Sequence, residues 1–377
     1  MSDDERERRL AAVRACTRVL SGVRPETMRE RLAAIAGRSE LDGWPDRYGD
    51  GPVAALEERV RELLGTASAT FFPTGTMAQQ VALRYWTHDG EPVVAMHPLG
   101  HLEVHERHAY ARLGGLAAVW PTTAPRQPTA AEVAGLGEPF SVLLLELPLR
   151  EAGFVLPTWD ELVAVVGAAR ERGAWVHVDG ARLWESTSHL GQPLPEAAAL
   201  ADSVYVSFYK SLGGLSGAVL AGPAELGGYA KAWRHRYGGQ VFEQWPAALS
   251  ALHGLAAHLP RLPELVAHAA VVAKALAQVP GARVFPEPPH THQFRLWLPH
   301  SAGALNAAAL EMAEQERVLF VDRWSETDVP GVAMAEVTVA EPALEWTAAE
   351  TVDVAERFLA RVTAAPQGPT GAAPDAT

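Results

Sequence analysis

The chain has 377 residues, 48% of them hydrophobic and 20% charged, which is enough to bury a sizeable core and to form two domains. A formal net charge of −13 argues against a polyanionic partner such as nucleic acid, and the single cysteine, Cys16, excludes an intramolecular disulfide and fits a reducing compartment. Residues 1–9 lack the apolar core of a signal sequence and no stretch is long and uncharged enough to span a bilayer, so a soluble, cytoplasmic protein with no membrane partner is expected.

In chain order, residues 1–20 read as a charged arm or helix. The pattern becomes regular from Gly51, with a helix from Pro52 to Leu64, a short strand at Ala69 and an amphipathic helix after Gly75. Apolar runs at Val93–Ala95, Leu116–Trp120, Val142–Leu145, Trp175–Val178, Val204–Val206 and Ala218–Leu220 then alternate with helical segments. This alternation predicts an α/β domain with a mostly parallel sheet covered on both faces. A long helical stretch is expected from about Trp245 to Gln278, after which alternating strands at Phe294–Leu298 and Ala333–Val339, with two helices, mark a smaller α+β C-terminal domain. The expected division is an arm at 1–20, a large domain at 21–255 whose N-terminal segment is able to pack on the small one, a small domain at 256–365, and a disordered tail at 366–377 rich in Pro, Gly and Ala.

Three motifs carry chemistry. The first is the turn Pro73-Thr74-Gly75-Thr76, where a strand passes into a helix whose first-turn amides have no intrahelical partner; this is a ready phosphate site, and Thr74 or Thr76 could cap the helix. The second is Asp179 in Trp175-Val-His-Val-Asp179-Gly-Ala-Arg182, and the third is Lys210 in Tyr209-Lys210-Ser-Leu-Gly213-Gly214. Both follow apolar runs, and ligands of open α/β sheets sit at the carboxyl ends of strands. Pyridoxal 5′-phosphate (PLP) needs an amine to hold its aldehyde as a Schiff base and a carboxylate to keep its pyridine nitrogen protonated. Taken singly, a lysine after a strand is usually a solvated loop residue and an aspartate before glycine a turn or cap. Phosphate anchor, ring carboxylate and lysine in this chain order point together to PLP. The cluster His101, His105 and His108 has helical spacing suited to zinc, but it lacks a supporting carboxylate motif, and no metal is expected.

The segments Arg47-Tyr48-Gly49-Asp50-Gly51-Pro52, Pro73-Thr74-Gly75-Thr76-Met77-Ala78, His177-Val-Asp179-Gly180-Ala181-Arg182-Leu183 and Lys210-Ser-Leu-Gly213 resemble those of the low-specificity threonine aldolases, in the β-eliminating lyase group of PLP fold type I. Trp233-Arg234 with Gly238-Gly239 adds to the resemblance, which runs from about Ser21 to the final helix. It implies an aminotransferase-like fold, an amino acid substrate, and a homodimer or homotetramer. It further implies Lys210, His101 and Asp179 as catalytic residues, with Gly75, Thr76, His101, Asp179, Arg182 and Lys210 around the cofactor. His101 matches a histidine stacked on the pyridine ring, Arg182 an arginine near the phosphate, and Tyr48 a loop tyrosine that reaches an active site.

The chain also departs from the family. The family's Asn-Thr-His-Asn stretch is replaced by Leu147-Pro148-Leu149-Arg150-Glu151 after Glu146, which removes a histidine that meets the substrate's β-hydroxyl. The C-terminal strand Val332–Val339 carries no arginine for the substrate carboxylate, leaving Arg150, Arg47 or Arg323 to supply one. Tyr48, Glu146 and Arg150 are therefore the expected substrate-side residues. The expected reaction is cleavage of the Cα–Cβ bond of a β-hydroxy-α-amino acid to glycine and an aldehyde, with His101 or Glu146 as base. The alternatives are β-elimination, transaldol transfer or transamination with the same cofactor, or a non-catalytic PLP-binding protein.

Overall fold

A computed structural model describes residues 3–364; the tail expected at 366–377 lies outside the described residues. The chain separates into two compact units, residues 28–264 and a unit that joins the segment before residue 28 to the segment after residue 264.

The larger unit is built on a seven-stranded sheet. Its strands are β1 (Ser68–Phe72), β2 (Val93–Ala95), β3 (Ala117–Val119), β4 (Val142–Glu146), β5 (Trp175–Gly180), β6 (Ser203–Ser207) and β7 (Ala218–Gly222), in the spatial order β1-β7-β6-β5-β4-β2-β3. Strands β4, β6 and β7 are buried at every position, because a sheet covered on both faces has no wet side to alternate with. All pairings from β3 across to β6 are parallel, whereas β7 runs antiparallel to both β6 and β1. The carboxyl ends of β1, β4, β5 and β6 therefore share one edge, and the loops that leave it carry the three motifs.

The helical stretch expected from Trp245 to Gln278 is interrupted. Helix Trp245–Ala257 ends before a 3-10 turn at Leu259–Arg261, and a second helix spans Leu262–Leu276. Pro260 and Pro263 have no amide to donate, so an unbroken hydrogen-bond ladder cannot pass through them.

The smaller unit has a four-stranded antiparallel sheet in the order Ser325–Glu326, Ala333–Thr338, Gln293–Leu298, Arg283–Phe285. Burial alternates along Ala333–Thr338, as it does when one face packs on a core and the other meets water. That core includes Phe294, Leu296, Leu305, Met312 and Phe358. Helix Asp3–Ala15 belongs to this unit and sets Ala12 and Val13 against Ala313 and Leu319. Among the described residues no helix is long and apolar enough to cross a membrane.

Candidate active site

A row of three buried side chains crosses the carboxyl edge of the sheet. Glu146 of β4 is the register partner of Asp179 of β5, which is in turn the partner of Tyr205 of β6. In-register neighbours project to the same face of a sheet. Asp179 is only 2% exposed and its Oδ1 accepts the Ala181 amide at 3.1 Å. Both oxygens of Glu146 are met by backbone amides, Oε2 by His101 at 2.7 Å and Oε1 by Arg150 at 3.2 Å. Burial, and then the charge of Asp179, push the Glu146 carboxyl up to about 7 despite those amides. Burial also raises Asp179 above the ordinary aspartate range, against the pull of His101.

Lys210 lies three residues beyond the end of β6, half-buried. Burial lowers its pKa, the Arg182 guanidinium lowers it further, Asp179 opposes, and Arg150 and Glu146 act with smaller effect. Charges at the ends of β4 and β5 are therefore felt at one amine beyond the end of β6. The loop after Lys210 is held tightly. Ser211 Oγ donates to Glu185 Oε1 at 2.6 Å, and the Gly214 amide donates to the Phe208 carbonyl at 2.8 Å. A Cβ on Gly254 would lie 2.2 Å from the Leu212 carbonyl oxygen, so helix Trp245–Ala257 presents bare backbone where the loop crosses it. Glu185 is 1% exposed, and burial raises its carboxyl to about 7 against the Ser211 hydrogen bond.

Thr74 is the residue that caps helix Gly75–Trp86, its Oγ1 accepting the Met77 amide at 3.3 Å; Thr76 lies half-buried in the first turn. A Cβ on Gly75 would stand 2.2 Å from the Tyr205 hydroxyl, so the phenol of the buried row reaches the start of this helix. Arg182 precedes helix Leu183–Leu190 and places its guanidinium 5.5 Å from the Phe154 ring centroid, with a buried Nε that has no hydrogen-bond partner.

His101 opens a short helix at the same edge, its Nδ1 lying 3.4 Å from Glu106 Oε1. Burial draws its pKa down, but the Glu106 hydrogen bond and the charges of Asp179, Glu106 and Glu146 outweigh burial and raise it. The helical face expected to join His101, His105 and His108 does not form. Helix His101–Val104 stops, Arg107 and His108 take the left-handed φ values 52° and 56°, and each histidine meets a different carboxylate: Glu106, Glu151 and Glu103. Among the described residues no group of three His, Cys, Asp or Glu is placed to hold a metal. Tyr48 is 54% exposed and packs edge-on to Phe242 at 5.3 Å, and among the described residues no ring contact joins it to Tyr205.

A sequence profile of the β-eliminating lyases matches residues 26–297. The chain belongs to the β-eliminating lyase family. It is 31% identical to the low-specificity L-threonine aldolase of Escherichia coli O157:H7 over 272 residues, 70% of this chain and 79% of that one. It is 32% identical to an aldolase of Penicillium aethiopicum over 219 residues, 56% of this chain, and that match spans only 55% of the fungal protein. A crystal structure of a candidate L-allo-threonine aldolase from Listeria monocytogenes superposes with a TM-score of 0.86 at 33% identity, covering 94% of this chain and 99% of that one. The β-eliminating lyase seen here has PLP fold type I, is a lyase and takes PLP as its cofactor.

The residues at the sheet edge fit that cofactor. It requires an amine, a carboxylate for its ring nitrogen and donors for its phosphate. The edge offers Lys210 with a lowered pKa, buried Asp179, a helix start kept open by Gly75, and an Arg182 Nε–H lacking a partner. Sequence reading missed Tyr205 and the Glu185–Ser211 pair. Tyr205 could have been found by counting alternate positions along β6, since Ser203, Tyr205 and Ser207 share a face, and Glu185 by its place one helical turn beyond Arg182.

Proposed function

We propose that this β-eliminating lyase cleaves the Cα–Cβ bond of a β-hydroxy-α-amino acid, releasing glycine and an aldehyde. The observation that carries the reading is Glu146: a carboxyl pushed up to about 7 by burial and by Asp179, fixed at both oxygens, whose charge is felt at the Lys210 amine. The L-threonine aldolase named among its relatives supports it. When bound, PLP supplies an electron sink for the pair left at Cα. Lys210 would hold the cofactor's aldehyde carbon, its lowered pKa keeping more of the amine neutral and nucleophilic. Asp179 would hold a proton at the ring nitrogen, while the helix start at Gly75 and Thr76 and the Arg182 guanidinium would take the phosphate. His101, kept in place by Glu106, would lie along the cofactor.

Glu146 would then accept the proton from the substrate's β-hydroxyl oxygen, directly or through His101, and return it to Cα. A carboxylate with a pKa near the working pH serves both directions of such a transfer. Arg150 would meet the substrate carboxylate. Tyr48, exposed beside Phe242, is assigned to the subunit contacts of a homodimer or homotetramer, which sedimentation of the purified protein tests.

A second reading, β-elimination or transaldol transfer on the same residues, is favoured by one observation: Leu147-Pro148-Leu149-Arg150-Glu151 contains no histidine for the β-hydroxyl. Incubation of the PLP-loaded protein with L-threonine, L-allo-threonine and phenylserine separates the two. Glycine with the matching aldehyde is the expected result. A 2-oxo acid with ammonia, or glycine transfer seen only when a second aldehyde is added, would overturn the aldolase reading.

A further inference from the structure

We propose that a cavity at the amino edge of the seven-stranded sheet binds a small organic cation of the quaternary ammonium kind. This edge lies opposite the one that leads to Lys210, so the site is separate from the candidate cofactor site and goes beyond the aldolase reading. The cavity holds about 520 Å³. That is within the range of about 300–1,000 Å³ usual for small-ligand sites. Its walls include the residues before β1, the start of β5, the residue before β6 and the end of β7, which runs antiparallel. Trp175 opens β5 and remains 47% exposed, a large indole outside the core. Trp86, the last residue of helix Gly75–Trp86, lies against it with ring centroids 4.6 Å apart, and Tyr85 meets Trp86 edge-on at 4.7 Å.

The face of an indole is electronegative, so such a wall favours a cation over a neutral group of the same shape. The charges around it have the matching sign. Asp202 and Glu225 line the cavity, and among the described residues no lysine, arginine or histidine does so. Asp202 is held by its Oδ2, which accepts the Val176 amide at 2.7 Å. Its Oδ1 and the Glu225 carboxylate meet no hydrogen-bond or ion-pair partner among the described residues. The rings are also fixed in advance. Trp86 Nε1 donates to Ser203 Oγ at 2.7 Å, and that oxygen lies 2.7 Å from His177 Nδ1, so the indole cannot turn without breaking a buried chain. Walls ordered before binding cost a ligand little when it arrives. A quaternary ammonium suits both parts of this site, since its methyl groups pack on the rings while its charge asks no directional bond of the carboxylates.

The test is equilibrium dialysis of radiolabelled choline against the full-length, PLP-loaded protein. Choline has no amine to bond an aldehyde, so its binding stands apart from the cofactor's chemistry and from the aldolase reading. The control, measured as a competitor, is the uncharged alcohol in which carbon replaces the choline nitrogen. Choline should bind about tenfold tighter than this control, the scale of a partly desolvated cation on an aromatic face. Trp175→Ala should weaken choline by about the same tenfold, and Trp175→Phe should recover part of the loss. Asp202→Asn, which keeps an acceptor for the Val176 amide, and Glu225→Gln should each weaken choline and leave the control unchanged. Should the other variants misfold, Glu225→Gln, on an exposed helix turn, carries the same expectation. Equal affinity for the two ligands, or unchanged choline binding in Trp175→Ala and in both carboxylate variants, overturns the site. Choline released from the cofactor-free protein by added PLP would place it at the opposite edge and overturn it too. So would a change of oligomeric state in Trp175→Ala, read by sedimentation, since this face would then belong to a second copy of the chain.

Discussion

Glu146 and Asp179 face one another across adjacent parallel strands as register partners, two carboxyls both shut away from water. Burial of each and the charge of Asp179 raise Glu146 from 4.5 to about 7, so between these values the folded protein binds a proton that the unfolded chain has lost. Stability of the cofactor-free protein must then fall as pH rises through this window. Glu185, raised over the same range by its own burial, adds to the slope, and a shift of that size is worth about 3 kcal/mol for a single group. Urea unfolding of the PLP-free protein at pH 5 and at pH 7 should show this loss, and Glu146→Gln and Glu185→Gln should each flatten it. An unchanged slope in both variants would refute the burial argument.

The amine at position 210 and the carboxylate at 179 have separable duties. Lys210→Ala should leave the fold and some PLP affinity but abolish label fixed by borohydride, because no amine then bonds the aldehyde. Asp179→Asn should keep the fixed label and lower turnover by at least about a hundredfold, the scale seen when a charge that stabilises the transition state is lost. Mass spectrometry of the reduced protein and single-turnover kinetics check the two outcomes. Label retained in Lys210→Ala would move the attachment elsewhere.

How much of this was legible in the sequence depends on what each residue's signal encodes. Apolar runs give strands, so β4, β5 and β6 and the motifs after them could be placed from the sequence, as could the helix start at Gly75. Direction is not written in such a run: nothing in Ala218-Val-Leu-Ala-Gly222 says that it lies antiparallel to its neighbours. Tyr205 was legible only from the alternation along its strand, which places it on one face with Ser203 and Ser207. The bend at Arg107 and His108 was also illegible, since helical spacing assumes a helix and neither residue announces a left-handed φ. His177 has a role the sequence did not show: burial lowers it to about 3 and its nitrogens meet Ser203 Oγ and Gln79 Oε1 at 2.7 Å each, a neutral ring joining strand to helix.

Gly75 is the position where one added methyl should report on the cofactor. A Cβ there would lie 2.2 Å from the Tyr205 hydroxyl and 2.7 Å from its Cζ, and the ring is buried with no room to retreat. Gly75→Ala should cost about 1–3 kcal/mol of stability through overpacking and weaken PLP by displacing the helix start. Replacing Tyr205 by Leu in the same chain should restore part of the stability. A Gly75→Ala protein with wild-type melting temperature and PLP affinity would show that Tyr205 does not pack as described.

The last prediction concerns the strand that delivers this helix. Phe71, in β1, is gripped from both sides of its peptide: its amide donates to Glu57 Oε1 at 2.9 Å and its carbonyl accepts from Arg234 Nη1 at 2.8 Å. Glu57 and Arg234 pair directly at 3.2 Å and are 7% and 4% exposed, while Lys231 lies 3.5 Å from the other carboxylate oxygen. Removing one partner leaves a buried charge facing a strand, so Arg234→Ala should lose about 3–5 kcal/mol in urea unfolding. Exposed Lys231 limits this loss by reaching Glu57, and Arg234→Ala with Lys231→Ala should therefore fall further. The pair itself is replaceable in principle. Arg234→Met with Glu57→Leu removes both charges and should recover much of the stability, though Phe71 then loses its two polar contacts and the turn at Gly75 its register. PLP affinity should consequently stay depressed in the double variant after stability has returned. Recovery of both together would mean that the pair only buries surface and does not set the position of β1.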